Sequence, residues 1–404
     1  MILEDVVIFD LDGTLVDSAR LWCDATASAI GEVYARLGIQ EPPPEEERLR
    51  AVIGTPAPDS LFALLPPHRH DLVPEVTEGV RRRGSEAMRE GAPPLFPGAR
   101  ECLEELRRAG CAVAIATNAG RRYRDACLDS LGLRGLVDHA FCLDSPGVSD
   151  KGDMVAAILR GEGTRRAVLV GDRSHDRHAA HRNGIPFVAF LPGYGSEAEW
   201  VGAEGRVGGF GELLELLGRR GGAVRALADE VLRRADGGDR PFVVGVTGPP
   251  GSGKTVLAED LARALGSDRD PVRLLRLDEF RKHPLRAPLG PEDDHLSAAF
   301  DLETFLRALA RARAPSTDGD PVTLVEGLFL LDERVRPSLD LAIHLEATEE
   351  VLLRRLGASR GTEEARRARD SYLPAHAAFA AANHPRLADL RLEASNPLRL
   401  EPLP

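Results

Sequence analysis

The chain has 404 residues with 64 acidic and 52 basic side chains, a formal charge of -12; this is more than one ordinary core, so two domains are expected, one carrying an insertion, and a nucleic-acid partner is disfavoured. The five cysteines (Cys23, Cys102, Cys111, Cys127, Cys142) are odd in number, lie in the first half and lack C-x-x-C spacing, which fits reduced thiols in a cytosol better than a disulfide or zinc scaffold. No apolar run approaches the roughly 18 residues of a membrane span, and Met1 leads into an acidic strand, so a cytoplasmic chain without a membrane partner is expected.

In chain order, Val6 to Phe9 reads as a buried strand ending in FDLDGTLVDS. Asp10 and Asp12 then stand together at its carboxyl end, where they would bind a divalent cation or raise one another's pKa, and both outcomes suit phosphoryl chemistry. A helical pattern follows, with Trp22, Ala25, Ala29, Val33 and Leu37 on one face. The strand Ala112 to Ala116 runs into Thr117 and Asn118, where a hydroxyl could hold a phosphate oxygen. Lys151 opens a helix in DKGDM, and the strand Ala167 to Val170 runs into GDRSHD, which carries Asp172 and Asp176.

This constellation, over roughly Ile2 to Leu217, resembles the haloacid dehalogenase superfamily of phosphatases. The resemblance implies Asp10 as the nucleophile that forms an aspartyl-phosphate and Asp12 as the general acid, which afterwards activates water. It implies Thr117 and Lys151 as holders of the phosphoryl oxygens. It also implies Mg2+ bound by Asp10, the backbone carbonyl of Asp12 and Asp172, with Asp176 as a further ligand or as a residue that steadies the ligands. The long insertion between Asp10 and Thr117 marks a helical cap over about residues 17–92. In the family such a cap favours small phosphometabolites such as phosphoglycolate or sugar phosphates. Gly54 and Thr55 are candidates to face the substrate.

From Val201 to Gly222 the chain is glycine-rich around one short helix, which reads as the end of the first domain and a hinge near Gly221. A helix over Ala223 to Ala235 leads to the strand Phe242 to Val246 and then to GPPGSGKT. Gly248, Gly251, Ser252, Gly253, Lys254 and Thr255 form a phosphate-binding loop: backbone N–H groups cradle phosphates, Lys254 meets the β and γ phosphates, and Thr255 offers a hydroxyl to Mg2+. Strands at Val272 to Leu277 and Val322 to Val325 end in Asp278 and Glu326, acids suited to proton abstraction and to steadying Mg2+. Leu341 to Leu345 is a further strand. An arginine-rich helical stretch with Arg354, Arg355 and Arg360 follows.

This second half, roughly Ala223 to Pro397, is similar to the uridine kinase and phosphoribulokinase-like family in GPPGSGKT, LDEF, LVEGLFLL, AIHLEA and SYLPAHAAF. The similarity implies ATP as phosphoryl donor, Asp278 as catalytic base, Glu326 near Mg2+, and Arg354, Arg355 and Arg360 as lid or phosphate contacts. Unlike nucleoside kinases of that family, Arg281 to Pro321 contains no Tyr or Trp to stack on a base. Phe305 shares a stripe with Leu302, Leu306 and Leu309 and reads as core.

The expectation is therefore an α/β protein. Its parts are a phosphatase over 1–220, with a Rossmann-like core and inserted cap, and a small-molecule P-loop kinase over 221–404 with a mainly parallel sheet. Its partners would be a phosphometabolite and a small alcohol acceptor (sugar, polyol or nucleoside-like). Two other readings stay open: a polynucleotide 5'-kinase/3'-phosphatase, and a chain in which one domain only binds and regulates.

Overall fold

The computed structural model describes residues 2–56, 59–236, 240–266, 272–282, 294–314, 322–382 and 387–403, apart from the side chains of 295, 359, 360, 364, 371, 372, 381 and 382. It divides into two compact units, Ile2–Leu217 and Gly218–Pro404. Each is a parallel α/β sheet.

The first sheet contains β1 (Val6–Phe9), β2 (Ala112–Thr117), β3 (His139–Cys142), β4 (Ala167–Gly171), β5 (Phe187–Phe190) and β6 (Gly205–Val207), in the order β3-β2-β1-β4-β5-β6. Continuous apolar runs let β1, β2 and β4 be covered on both faces, as a parallel sheet requires. On one face Val6, Ile8, Ala114, Leu169 and Phe187 meet Met154 and Ile158 of the helix Lys151–Glu162. Register decides what gathers at the edge: Phe9 is level with Ile115 and with Val170. Asp10, Thr117 and Asp172 therefore leave neighbouring strands within one residue of the same height, at the crevice where the strand order reverses.

Between β1 and β2 lies a helical insertion, called the cap below, with α-helices at Ala19–Leu37, Glu46–Ala51, Asp59–Leu64 and Val73–Glu90. Ala25, Ala29 and Val33 are buried as their spacing predicts. Leu37, the last residue of its helix before the left-handed Gly38, is instead 45% exposed.

The hinge expected near Gly221 is helix. Phe210–Ala235 runs unbroken for 26 residues. Leu213, Leu217, Val224, Ala228 and Val231 are all buried at helical spacing through the glycines, and burying that stripe outweighs the roughly 1 kcal/mol that each glycine costs.

The second sheet contains β7 (Phe242–Thr247), β8 (Arg273–Arg276), β9 (Val322–Glu326), β10 (Leu341–Glu346), β11 (Leu390–Glu393) and β12 (Glu401–Pro402), in the order β12-β11-β10-β7-β9-β8. All pairs are parallel except β11 with β12. Phe300 and Phe305 are both fully enclosed in its core, Phe305 meeting Phe280 edge to face. Among the described residues no helix is long and apolar enough to cross a membrane.

Candidate active sites

In the first unit the sheet edge assembles a charged cluster almost sealed from water. Asp10, Asp12, Thr117, Lys151, Asp172 and Asp176 are all buried. Lys151 Nζ stands 2.9 Å from Asp10 Oδ1 and donates at 2.6 Å to Asp176 Oδ1. The Leu11 N–H also donates to Asp10 Oδ1, at 2.7 Å. One oxygen of Asp10 is thus held by two donors.

Asp172 is held by the Tyr194 N–H at 2.7 Å and the Thr14 hydroxyl at 3.4 Å, and the Arg173 N–H caps Asp176 Oδ2 at 2.9 Å. Close approach explains the glycine of Asp12-Gly13-Thr14: a Cβ on Gly13, whose φ is +82°, would lie 2.6 Å from the Asp172 carboxylate.

Burial moves these groups off their ordinary ionisation. Asp10 is pushed well up, by burial first, with Lys151 opposing and Asp176 and Asp172 adding to the rise. Asp172 is pushed up to about 7 by burial and by Asp176. Burial pulls the Lys151 ammonium down, but Asp10 and Asp176 outweigh it and hold the group above the ordinary range. Carboxylate oxygens of Asp10, Asp172 and Asp176 lie within 4.8 Å of one another. Three buried acids around one lysine leave an excess of negative charge that a hard divalent cation would offset, so the donor set fits Mg2+.

Side chains to which the sequence pattern gives no role in the site complete it. Tyr123 OH donates to Asp12 Oδ1 at 2.7 Å and Trp22 Nε1 to the same oxygen at 3.3 Å. Arg173, next to Asp172, donates to the Ile53 carbonyl at 2.7 Å and the Ala51 carbonyl at 2.9 Å, with Glu199 as its counter-ion. Asn118, next to Thr117, donates to the Gly54 carbonyl at 3.0 Å. The segment 51–54 of the cap is therefore bonded by residues adjoining two of the expected site positions. Gly54 contributes its backbone carbonyl to that contact.

In the second unit the helix Lys254–Leu265 starts at the left-handed Gly253, aiming its free N–H groups at the loop. Lys254 Nζ donates to the Pro249 carbonyl at 2.9 Å. Ser252 is buried with an unpartnered hydroxyl, a polar atom inside the loop that a phosphate oxygen would satisfy. Thr255 donates to Glu326 at 3.1 and 3.0 Å, and burial raises the Glu326 carboxyl.

Glu326 is level with Val246 and Arg276 across the sheet, and Gly327 lets the following turn close on Leu277, which a Cβ would strike at 2.5 Å. This brings the two acidic strand ends together. Asp278 lies in a 3-10 turn, Leu277–Phe280, with its side chain 56% exposed and Arg281 Nη2 donating to it at 3.3 Å.

Arg354 and Arg355 lie on the helix Glu349–Arg360. Arg355 donates to the carbonyls of Gly251, Ala394 and Ser395 at 3.3, 2.8 and 3.0 Å, so it ties the phosphate-binding loop to the end of β11. The Arg360 side chain is outside the described residues. Beyond it, Arg366 and Arg367 pair along their own helical turns with Asp370 and Glu363.

Comparison with known proteins agrees with both halves. Residues 7–190 match the family model of haloacid dehalogenase-like hydrolases, and residues 244–373 match a model described as an AAA domain. Phosphoglycolate phosphatase of Rhodobacter capsulatus is 30% identical over 197 residues, which are 46% of this chain and 84% of that protein. The tyrosine-protein kinase PtkA of Mycobacterium tuberculosis is 31% identical over 194 residues, 47% of this chain and 63% of that protein. A crystal structure of a predicted phosphoglycolate phosphatase from Haemophilus somnus aligns with 54% of this chain and 99% of its own, at 21% identity and a TM-score of 0.47. The chain belongs, through its first unit, to the haloacid dehalogenase-like hydrolases, joined to a second unit with a P-loop, kinase-like fold.

Proposed function

We propose that the first unit is a Mg2+-dependent phosphatase of a small phosphorylated metabolite and that the second uses ATP to phosphorylate a hydroxyl of a small metabolite. The observation that carries the phosphatase reading is Lys151, bridging Asp10 and Asp176 in a buried triad of carboxylates. Asp10 Oδ2 attacks phosphorus while Oδ1 stays on Leu11 N–H and Lys151. The bond to the leaving oxygen breaks, its electron pair goes to that oxygen, and Asp12 supplies the proton. Water then attacks the phosphorus of the aspartyl-phosphate and gives a proton to Asp12, the bond to Asp10 Oδ2 breaks with its electron pair returning to the carboxylate, and inorganic phosphate leaves. Thr117 and Lys151 hold the phosphoryl oxygens. Asp10, Asp172 and Asp176, with the Asp12 carbonyl, would hold Mg2+, which when bound offsets charge on the phosphoryl group.

In the second unit the loop Gly248 to Thr255 binds the triphosphate, and Lys254 moves from the Pro249 carbonyl to the β and γ phosphates. Thr255 and Glu326 would hold Mg2+. Asp278 takes the proton of the acceptor hydroxyl as that oxygen bonds to the γ phosphorus, while the bond from the γ phosphorus to the bridging oxygen breaks and its electron pair leaves with ADP. The enclosure of Phe300 and Phe305 in the core removes both as stacking faces for a nucleobase and supports a sugar or polyol acceptor.

A polynucleotide end-processing role is opposed by the charge of -12 and by the cap segment bonded to Arg173 and Asn118. Intact Asp10, Asp12, Lys254 and Asp278 weigh against a purely regulatory unit. Because removing the phosphate just added would only hydrolyse ATP, the two units act on different positions or successive intermediates of one pathway.

Incubation with panels of phosphomonoesters and of alcohols, with and without ATP, tests both activities. Release of phosphate and ATP-dependent phosphorylation are expected from different small molecules, and inertness towards every member would overturn the reading. Offering the isolated kinase product to a Lys254→Ala variant tests the last point. Rapid release of the new phosphate would contradict it.

A further inference from the structure

Resting on the reading of Asp12 as the general acid, we propose that Tyr123 and Trp22 are positioning residues that hold the Asp12 carboxyl with Oδ1 on their two donors, so that Oδ2 faces the leaving oxygen. The two donors come from different parts of the fold, Tyr123 from the core helix Arg121–Ser130 and Trp22 from the cap helix Ala19–Leu37. Yet both end on one oxygen, at 2.7 and 3.3 Å. Their rings pack at 5.0 Å between centroids. The far side of the indole lies over Gly84 of the helix Val73–Glu90, where a Cβ would come within 2.7 Å of the ring. The ring thus has one seat, between cap and core.

The arrangement matters at the moment of proton transfer. As the bond between phosphorus and the leaving oxygen breaks, the proton on Asp12 Oδ2 passes to that oxygen, and the carboxylate left behind is buried. The phenol and indole N–H then bond a developing anion, and such charge-assisted bonds are stronger than those to the neutral acid. A leaving group that needs no proton gains nothing from them.

The test compares Tyr123→Phe, which keeps the ring packing, with Asp12→Asn, reading kcat/KM over p-nitrophenyl, phenyl and alkyl phosphates. Tyr123→Phe is expected to lose about tenfold or more with alkyl phosphates but less than about threefold with p-nitrophenyl phosphate, and Trp22→Phe is expected to follow the same trend more weakly. An equal loss across the series, or no loss, in Tyr123→Phe would overturn the positioning role. Asp12→Asn separates this from failure of the underlying reading. If Asp12 is the acid, that variant shows the steepest dependence on the leaving group, and a flat loss there would remove the premise itself.

Discussion

The two sites differ in how much of their machinery the fold holds in advance. In the first unit both expected catalytic aspartates are buried, and Lys151 already bridges two carboxylates. In the second, Asp278 is more than half exposed, and Lys254 is folded onto its own loop carbonyl. Opposite charges are built into the phosphatase site, whereas the triphosphate would supply the negative charge of the kinase site. The first should therefore be sensitive to loss of any one charge, in stability as well as rate. The second should fail in binding or in chemistry separately.

The largest expected effect is on Lys151→Ala. It leaves Asp10 and Asp176 without their shared cation, so phosphatase kcat should fall by about a thousandfold or more, with a loss of about 3 kcal/mol in the absence of divalent cation. Assay together with urea unfolding checks this, and an active, equally stable variant would break the contrast. Next is the kinase pair. Lys254→Ala should weaken binding of an ATP analogue about a hundredfold, whereas Asp278→Asn should keep binding within about threefold and lower kcat at least about a hundredfold. Calorimetric titration separates them, and lost binding in the Asp278 variant would make it a nucleotide or metal ligand.

A smaller effect is expected at the cap. Arg173→Ala removes the donors to Ala51 and Ile53, so the phosphatase KM should rise about tenfold and proteolysis within 51–55 should accelerate. Unchanged KM and cleavage would show that the segment is held by other contacts.

The smallest concerns Asp294, whose carboxyl the Arg334 hydrogen bond holds well below its ordinary range. Its folded value is depressed, so its contribution is complete above the unfolded value near 4 and is lost as pH falls through the folded one. With both side chains more than a third exposed, solvent screening limits that contribution to about 0.5 kcal/mol. Asp294→Asn should cost this much at pH 7 and progressively less in acid, as measured by urea unfolding.

The strand-end residues were legible in the sequence because a short apolar run fixes where a parallel strand stops, and the register then places Asp10, Thr117 and Asp172 together. The P-loop was legible because its glycines and lysine have fixed spacing. Tyr123 was not: it lies 111 residues from Asp12 on a helix start with no distinguishing pattern. Arg173 reaches its cap carbonyls from 120 and 122 residues away. Such contacts depend on how the inserted cap seats on the sheet, which local periodicity does not encode. The unbroken helix Phe210–Ala235 shows the converse, since glycines suggested a break and the apolar stripe overrode them.

On this reading one chain carries two phosphoryl-transfer sites that work separately. Full-length Asp10→Asn and Lys254→Ala, each assayed for phosphate release and for ATP-dependent phosphorylation, test it most directly. Asp10→Asn should abolish release and keep phosphorylation within a few fold, and Lys254→Ala should do the reverse. Loss of both activities in either variant, with the protein still folded, would contradict it.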